Sequence, residues 1–255
     1  MELFDTHAHY DDEAFDADRD AVLSALPEAG VSLVLDPGCD LPSSQRAAAL
    51  AETYPHVYAA VGVHPEHCAG FGEDALSALR QLAARPKVIA IGEIGLDYYW
   101  EQNPPREIQR QAFRAQLALA RELDLPVIVH DREAHGDTLD ILEEFPQARG
   151  VLHCFSGSPE MARALAKKGW YFGFDGPVTY KNARKSLEAA AAVPRDRLLL
   201  ETDSPYLSPV PLRGRRNDSR SLPYIVQRLA EVLAMEPEAL AKLCLENGKR
   251  LFGLN

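Results

Sequence analysis

Eight short, nearly uninterrupted apolar runs recur along this chain, each followed by a stretch long enough to cross back over a sheet. The runs are Leu3 to His7, Val31 to Asp36, Val57 to Val63, Val88 to Glu93, Pro126 to His130, Gly150 to Cys154, Trp170 to Phe174 and Leu198 to Asp203. Most are continuous Val, Ile, Leu, Ala or Phe without polar alternation, the pattern of parallel strands covered on both faces. Helical spacing marks Arg19 to Leu26, Ser43 to Tyr54, Asp74 to Ala84, Arg106 to Leu123, Pro159 to Lys168 and Asn182 to Ala192. Strict β-then-α order calls for a parallel sheet, since only parallel neighbours need crossovers of this length.

Such a sheet is either open or closed. An open dinucleotide-binding sheet carries a glycine-rich turn after its first strand, where this chain reads DTHAHY. Eight units in 255 residues instead predict an α/β fold of one kind, a single (β/α)8 TIM barrel formed by residues 1–255 as one domain.

In such barrels the chemistry is assembled where strands meet the following loops. The first run ends in Asp5, His7 and His9, the third in His64, the fourth in Glu93, the fifth in His130, the sixth in His153, and the eighth in Glu201 and Asp203. Five of the eight histidines occupy these positions. His7 and His9, two apart in extended chain, project from one face. Alone, an H-x-H pair is more often two satisfied histidines than a ligand pair. The full set changes the reading: imidazoles and carboxylates converging without Lys or Arg are costly in a low dielectric, and divalent cations relieve that cost.

Six donors, His7, His9, Glu93, His130, His153 and Asp203, are too many for one tetrahedral ion with an open position, so two divalent ions are expected. Glu93 is best placed to bridge them, and no lysine ends a strand to do so instead. Gly92 and Gly95 beside it would let neighbouring backbone approach closely. Four nitrogen donors favour Zn, Mn, Fe, Co or Ni over Mg, which prefers oxygen-rich shells. A pair of ions ~3.5–4 Å apart would hold and acidify a bridging water, with Asp203 taking its proton and His64 contacting substrate; hydrolysis follows.

Charge narrows the partners. Twenty-seven basic against 38 acidic residues give −11, so any contact with nucleic acid must be local. The loop SPYLSPVPLRGRRND supplies Arg213, Arg215 and Arg216; Arg213 and Arg216 are candidate phosphate ligands, with a solvated or ion-paired loop cluster as the plain alternative. Arg132, two residues beyond His130, is expected at the same mouth, and Tyr98, Tyr99 and Trp100 form either a shelf for a base or a packed lid. His56, His67 and His135 fall outside strand endings, and Cys154 is expected to alternate away from His153 and pack as a small hydrophobe. Cys39, Cys68, Cys154 and Cys244 show no C-x-x-C spacing, and the chain has neither a basic, apolar leader nor a membrane-length apolar stretch. A cytoplasmic, monomeric protein without membrane association is expected.

Taken in order, DTHAHY, VGVHP, IGEIGLDYY, PVIVHDREA, HCFSG, LLLETDSPYL, RGRRND and LENGKRLF resemble the TatD family of metal-dependent deoxyribonucleases over nearly the whole chain. The resemblance implies an amidohydrolase-type TIM barrel and a DNase, commonly a 3′–5′ exonuclease, acting on single-stranded or frayed DNA. It also implies one metal on His7, His9, Glu93 and Asp203, a second on Glu93, His130 and His153, His64 near the scissile phosphate, and Asp203 serving the attacking water. Asp131 stands where the family often has Ser, and Asp218-Ser219 where it often has Glu-Pro. The rival expectation is a metal-dependent amidohydrolase or deacylase cleaving a carbonyl ester or amide, such as an aminoacyl-tRNA; a third is a non-catalytic metal-binding scaffold.

Overall fold

Each apolar run becomes a strand in the computed structural model, which describes residues 1–254. The strands are β1 (Leu3–Asp5), β2 (Val31–Pro37), β3 (Val57–Val61), β4 (Val88–Asp97), β5 (Val127–Arg132), β6 (Gly150–Leu152), β7 (Tyr171–Phe174) and β8 (Leu198–Leu200). They form one eight-stranded parallel sheet in sequence order. The helices are α1 (Arg19–Ala25), α2 (Leu41–Thr53), α3 (Glu73–Ala83), α4 (Arg106–Leu123), α5 (His135–Glu144), α6 (Pro159–Lys167), α7 (Arg184–Ala192), α8 (Leu222–Leu233) and α9 (Pro237–Phe252). The six expected helices recur within two residues of their anticipated limits. This is the (β/α)8 topology. Among the described residues no helix is long and apolar enough to cross a membrane.

The chain divides into two compact units, residues 1–36 with the segment from His153 onward, and Pro37–Leu152. In the first, the last strand returns to the first: the Thr6 N–H donates to the Leu200 carbonyl at 3.0 Å, and Ala8 bridges Ser204 in parallel. Buried Asp5 fastens this seam, accepting from the Thr202 N–H at 3.0 Å and from the Thr202 and Ser219 hydroxyls at 2.6 Å each. α8 buries Leu222, Ile225, Val226, Leu229, Ala230 and Leu233, the three-and-four spacing of one apolar face.

In the second unit, α4 does more than cover the sheet. Its apolar face carries two buried glutamines, Gln109 and Gln116, two turns apart. Gln116 accepts from the Val63 N–H at 2.7 Å and donates to its carbonyl at 3.0 Å. Gln109 treats Asp97 likewise, at 2.9 Å in each direction. Backbone that has run out of strand partners is thereby satisfied inside the protein, and the segments bearing His64 and Asp97 are held where they leave the sheet. The capping box of α2, in which Asp40 accepts from Ser43 N–H and the Ser43 hydroxyl accepts from Asp40 N–H, fixes the turn after β2.

Candidate metal centre

In the first unit, β1 stops at Asp5, and His7 and His9 follow in chain kept extended by the Ala8 bridge. The two rings meet, with Nε2 atoms 3.0 Å apart. Asp203 Oδ1 lies 3.6 Å from His7 Nε2 and 3.5 Å from His9 Nε2. His153 stacks on His7 with ring centroids 3.9 Å apart and planes 10° apart. His7, His153 and Asp203 form one group whose donor atoms all lie within 4.8 Å of one another. Asp203 reaches this place from a left-handed backbone (φ 56°), its N–H donating to the His7 carbonyl at 2.9 Å. A non-glycine residue held there costs energy that the surrounding bonds must offset, as is common at functional sites. Burial alone would raise the Asp203 pKa, but the His9 hydrogen bond and the nearby His7 and His153 hold it below the ordinary carboxylate value, so Asp203 is ionised.

A ring of buried acids stands behind this group. The Glu201 carboxylate accepts the Cys154 N–H and lies 3.8 Å from His153 Nδ1. Burial, then repulsion from Asp175, raises its pKa well above the usual range. Burial and the Asp203 charge push Asp175 up to about 8. Burial and mutual repulsion thus move these two carboxyls upward, while the imidazoles around Asp203 move it down. Cys154 has φ 42°, so the strand alternation expected to turn its side chain away has already ended; the thiol faces Asp175 instead.

In the second unit Glu93, His64 and His130 form another group with donor atoms within 4.8 Å of one another. Glu93 Oε1 is 2.8 Å from His130 Nδ1 and 3.6 Å from His64 Nε2. Pairing between β4 and β5 shifts register between Ile91 and Ile94, and within that irregularity the Glu93 N–H donates to the Gly38 carbonyl at 2.8 Å. Gly92 is required here: a Cβ would meet Ile128 Cβ at 2.7 Å and the backbone of Gly62 packs against it. His130 Nε2 faces Asp97 Oδ2 at 3.1 Å. Burial works against its charge, but hydrogen bonds to Asp97 and Glu93 prevail and raise the pKa to about 10. The carboxylates on either side of the ring thus favour a cation at this place, a proton or a metal.

Both groups suit a divalent cation: nitrogens and ionised oxygens crowd together at distances that require a proton or a metal between them. Asp97 is the residue that strand-end reasoning missed. It lies inside IGEIGLDYY, and the register shift after Glu93 hides its facing from simple alternation. His64, expected to touch substrate, is placed among the donors.

The arginines divide. Arg216 is spent inside the protein: its guanidinium pairs with both Asp18 oxygens at 2.7 Å, donates to the Ala14 carbonyl at 2.7 Å and covers the Phe15 ring. That arrangement is the ion-paired alternative to its expected role as a phosphate ligand. Arg213 is exposed and lies 4.0 Å over the Tyr180 ring. Arg132 lies 4.0 Å over Tyr99 and 5.4 Å from the Trp100 ring. Tyr98 is packed rather than presented, its hydroxyl donating to Asp137 at 2.6 Å under Arg106. Asp131 Oδ2 lies 2.7 Å from His135 Nδ1, and Asp218 pairs with Arg220.

Comparison with known proteins gives a consistent result. The model of TatD-related DNases matches residues 4–253. The metal-dependent hydrolase YabD of Bacillus subtilis is 43% identical, over 99% of this chain and all of that protein. The 3′–5′ ssDNA/RNA exonuclease TatD of Erwinia tasmaniensis is 40% identical, again over 99% of this chain and all of its own length. The crystal structure of YjjV, a TatD homologue from Escherichia coli, superimposes with a TM-score of 0.92 at 33% identity, covering 99% of this chain and 98% of its own.

Proposed function

This chain belongs to the TatD family of metal-dependent hydrolases, and from that premise we propose that it is an exonuclease cutting phosphodiester bonds from the 3′ end of single-stranded or frayed DNA. The observation that carries the reading is the bunching of donor atoms in which His7 Nε2 and His9 Nε2 stand 3.0 Å apart and 3.6 and 3.5 Å from Asp203 Oδ1. In this reading His7, His9, Glu93 and Asp203 hold one ion and Glu93, His130 and His153 the other. When bound, divalent ions supply Lewis acidity toward phosphoryl oxygen and make water acidic near neutral pH. Nitrogen-rich donors favour Zn, Mn, Fe, Co or Ni, with Mg the weaker fit.

The chain's own residues do the rest. Asp203, kept ionised, accepts the proton of the attacking water at its carboxylate. Asp97 accepts the Nε2–H of His130 and so presents Nδ1 toward Glu93, fixing the tautomer a ligand needs. His64 orients the scissile phosphate from Nε2, and Arg213 and Arg132 bring local positive charge to a chain of net charge −11. Residues 1–255 act as one hydrolase domain, and the protein works as a cytoplasmic monomer; four cysteines present as free thiols agree with a reducing compartment.

The test uses single-stranded DNA labelled at either end, with Mn, Mg or Zn restored after chelation, comparing the native protein with Glu93→Ala. Shortening from the 3′ end by the native protein alone is expected. Equal degradation by both, or none with any metal, overturns the proposal; loss of an ester or amide bond instead would move it to the amidohydrolase class.

A further inference from the structure

β4 and β5 stay paired further than their apolar cores require, through Gly95 with His130, Leu96 with Asp131 and Asp97 with Arg132. The chain then turns under the control of one carboxylate. Asp97 Oδ1 accepts the Tyr99 N–H at 2.9 Å, while Oδ2 faces His130 Nε2 at 3.1 Å. Whatever Tyr99 and Trp100 present is therefore tied, through a single side chain, to a candidate metal ligand.

What they present is aromatic surface in water. Tyr99 is 51% exposed and Trp100 43%, with ring centroids 4.7 Å apart and planes at 85°. Neighbouring Tyr98 shows what a structural aromatic looks like here, with its hydroxyl bonded and its face covered. Arg132 lies over Tyr99, and among the described residues its guanidinium makes no hydrogen bond or ion pair. Two large aromatic rings left open to water beside a guanidinium that no hydrogen bond holds offer a face for something planar and a charge for something anionic, even with the Asp97 carboxylate near enough to feel that charge.

We propose that Tyr99, Trp100 and Arg132 form a stacking subsite for a nucleobase of the strand being degraded. The rings take the base, and Arg132 takes the adjoining phosphate. Stacking on aromatic faces accepts every base, so the subsite would grip a strand without reading its sequence. This inference rests on the nuclease reading and supplies what that reading lacks, a hold on the base to accompany a hold on the phosphate.

Two measurements test it. Trp100 is one of two tryptophans, and the other, Trp170, is only 3% exposed. In EDTA, titrating the protein with oligodeoxythymidylate is expected to quench Trp100 emission; a strand of the same length built from abasic tetrahydrofuran residues is expected not to, and Trp100→Phe loses the base-dependent quench. With metal restored, the native protein is expected to favour a strand ending in a base over one ending in tetrahydrofuran. Tyr99→Ala with Trp100→Ala is expected to raise KM for the base-ended strand by about ten- to hundredfold and to erase that preference. Tyr99→Phe, which keeps the ring, should retain it. Equal quenching by the abasic strand, or an undiminished preference in the double variant, overturns the subsite. Failure of the native protein to cut DNA with any metal overturns the nuclease reading instead, and the EDTA titration still decides whether a base stacks at Trp100.

Discussion

Glu93 Oε1 stands 2.8 Å from His130 Nδ1, a carboxylate and an imidazole in direct contact on the neighbouring strands β4 and β5. The bond marks Glu93 as the centre of the second donor group, with His64 Nε2 also 3.6 Å from the same oxygen. Glu93→Gln keeps the shape and removes the charge. Elemental analysis should find at least one equivalent of metal lost per chain, and hydrolysis of labelled DNA should drop at least about a hundredfold. A variant retaining the native metal content would show that Glu93 is not a ligand.

Asp97 should behave as a positioning residue. Asp97→Asn weakens the acceptor facing His130 Nε2, and partners of this kind typically change metal affinity by about 10–100-fold. Mn titration should therefore require more metal for half-maximal activity, with kcat at saturating metal affected less. An unchanged Mn requirement would remove Asp97 from the site.

Arg213 and Arg216 should separate cleanly, although they lie three residues apart. Arg213→Ala is expected to raise KM for DNA and to flatten its salt dependence by about one phosphate contact. Arg216→Ala should leave the salt slope alone, because its guanidinium is committed to Asp18 and the Ala14 carbonyl. Measuring KM from low to moderate salt distinguishes them, and equal flattening in both would restore Arg216 as a phosphate ligand.

Asp175 gives a pH dependence of stability. Burial, reinforced by the Asp203 charge, pushes its pKa from the ordinary carboxylate value up to about 8. Between those limits the folded chain holds a proton the unfolded chain has released, so this contribution is whole below about pH 4 and is lost as pH rises through about 8. In metal-free protein, Asp175→Asn should therefore gain in melting temperature over the native chain, and gain more at pH 8 than at pH 5. A difference independent of pH, or one of opposite slope, contradicts the assignment.

Gln116 should matter to the fold more than its polarity suggests. Gln116→Leu orphans the buried N–H and carbonyl of Val63, at about 1–3 kcal/mol for each unsatisfied group, and frees the segment that carries His64. The urea midpoint should fall accordingly; a midpoint matching the native protein would mean that water replaces the glutamine.

Much of this was legible in the residues alone. Continuous apolar runs separated by helix-length stretches sufficed for the strand order, because burial on both faces leaves no room for polar alternation. The same logic singled out His7, His9, Glu93, His130, His153 and Asp203 as candidates, all of which fall in the candidate donor groups: a polar residue ending an apolar run is energetically out of place unless it has work there. Periodicity failed wherever the backbone left the strand path. The register shift between Ile91 and Ile94 brought Asp97 to His130, and the left-handed turn at Cys154 sent its thiol to Asp175. Partner choice was equally hidden. Arg216 reads in sequence like Arg213, yet Asp18, 198 positions earlier, claims it, while Tyr98 is packed and Tyr99 is left open. Local pattern determines which residues are buried and on which face, since that depends only on near neighbours along the chain; which charge or ring each one finally meets depends on segments brought together by folding, and only the tertiary structure decides it.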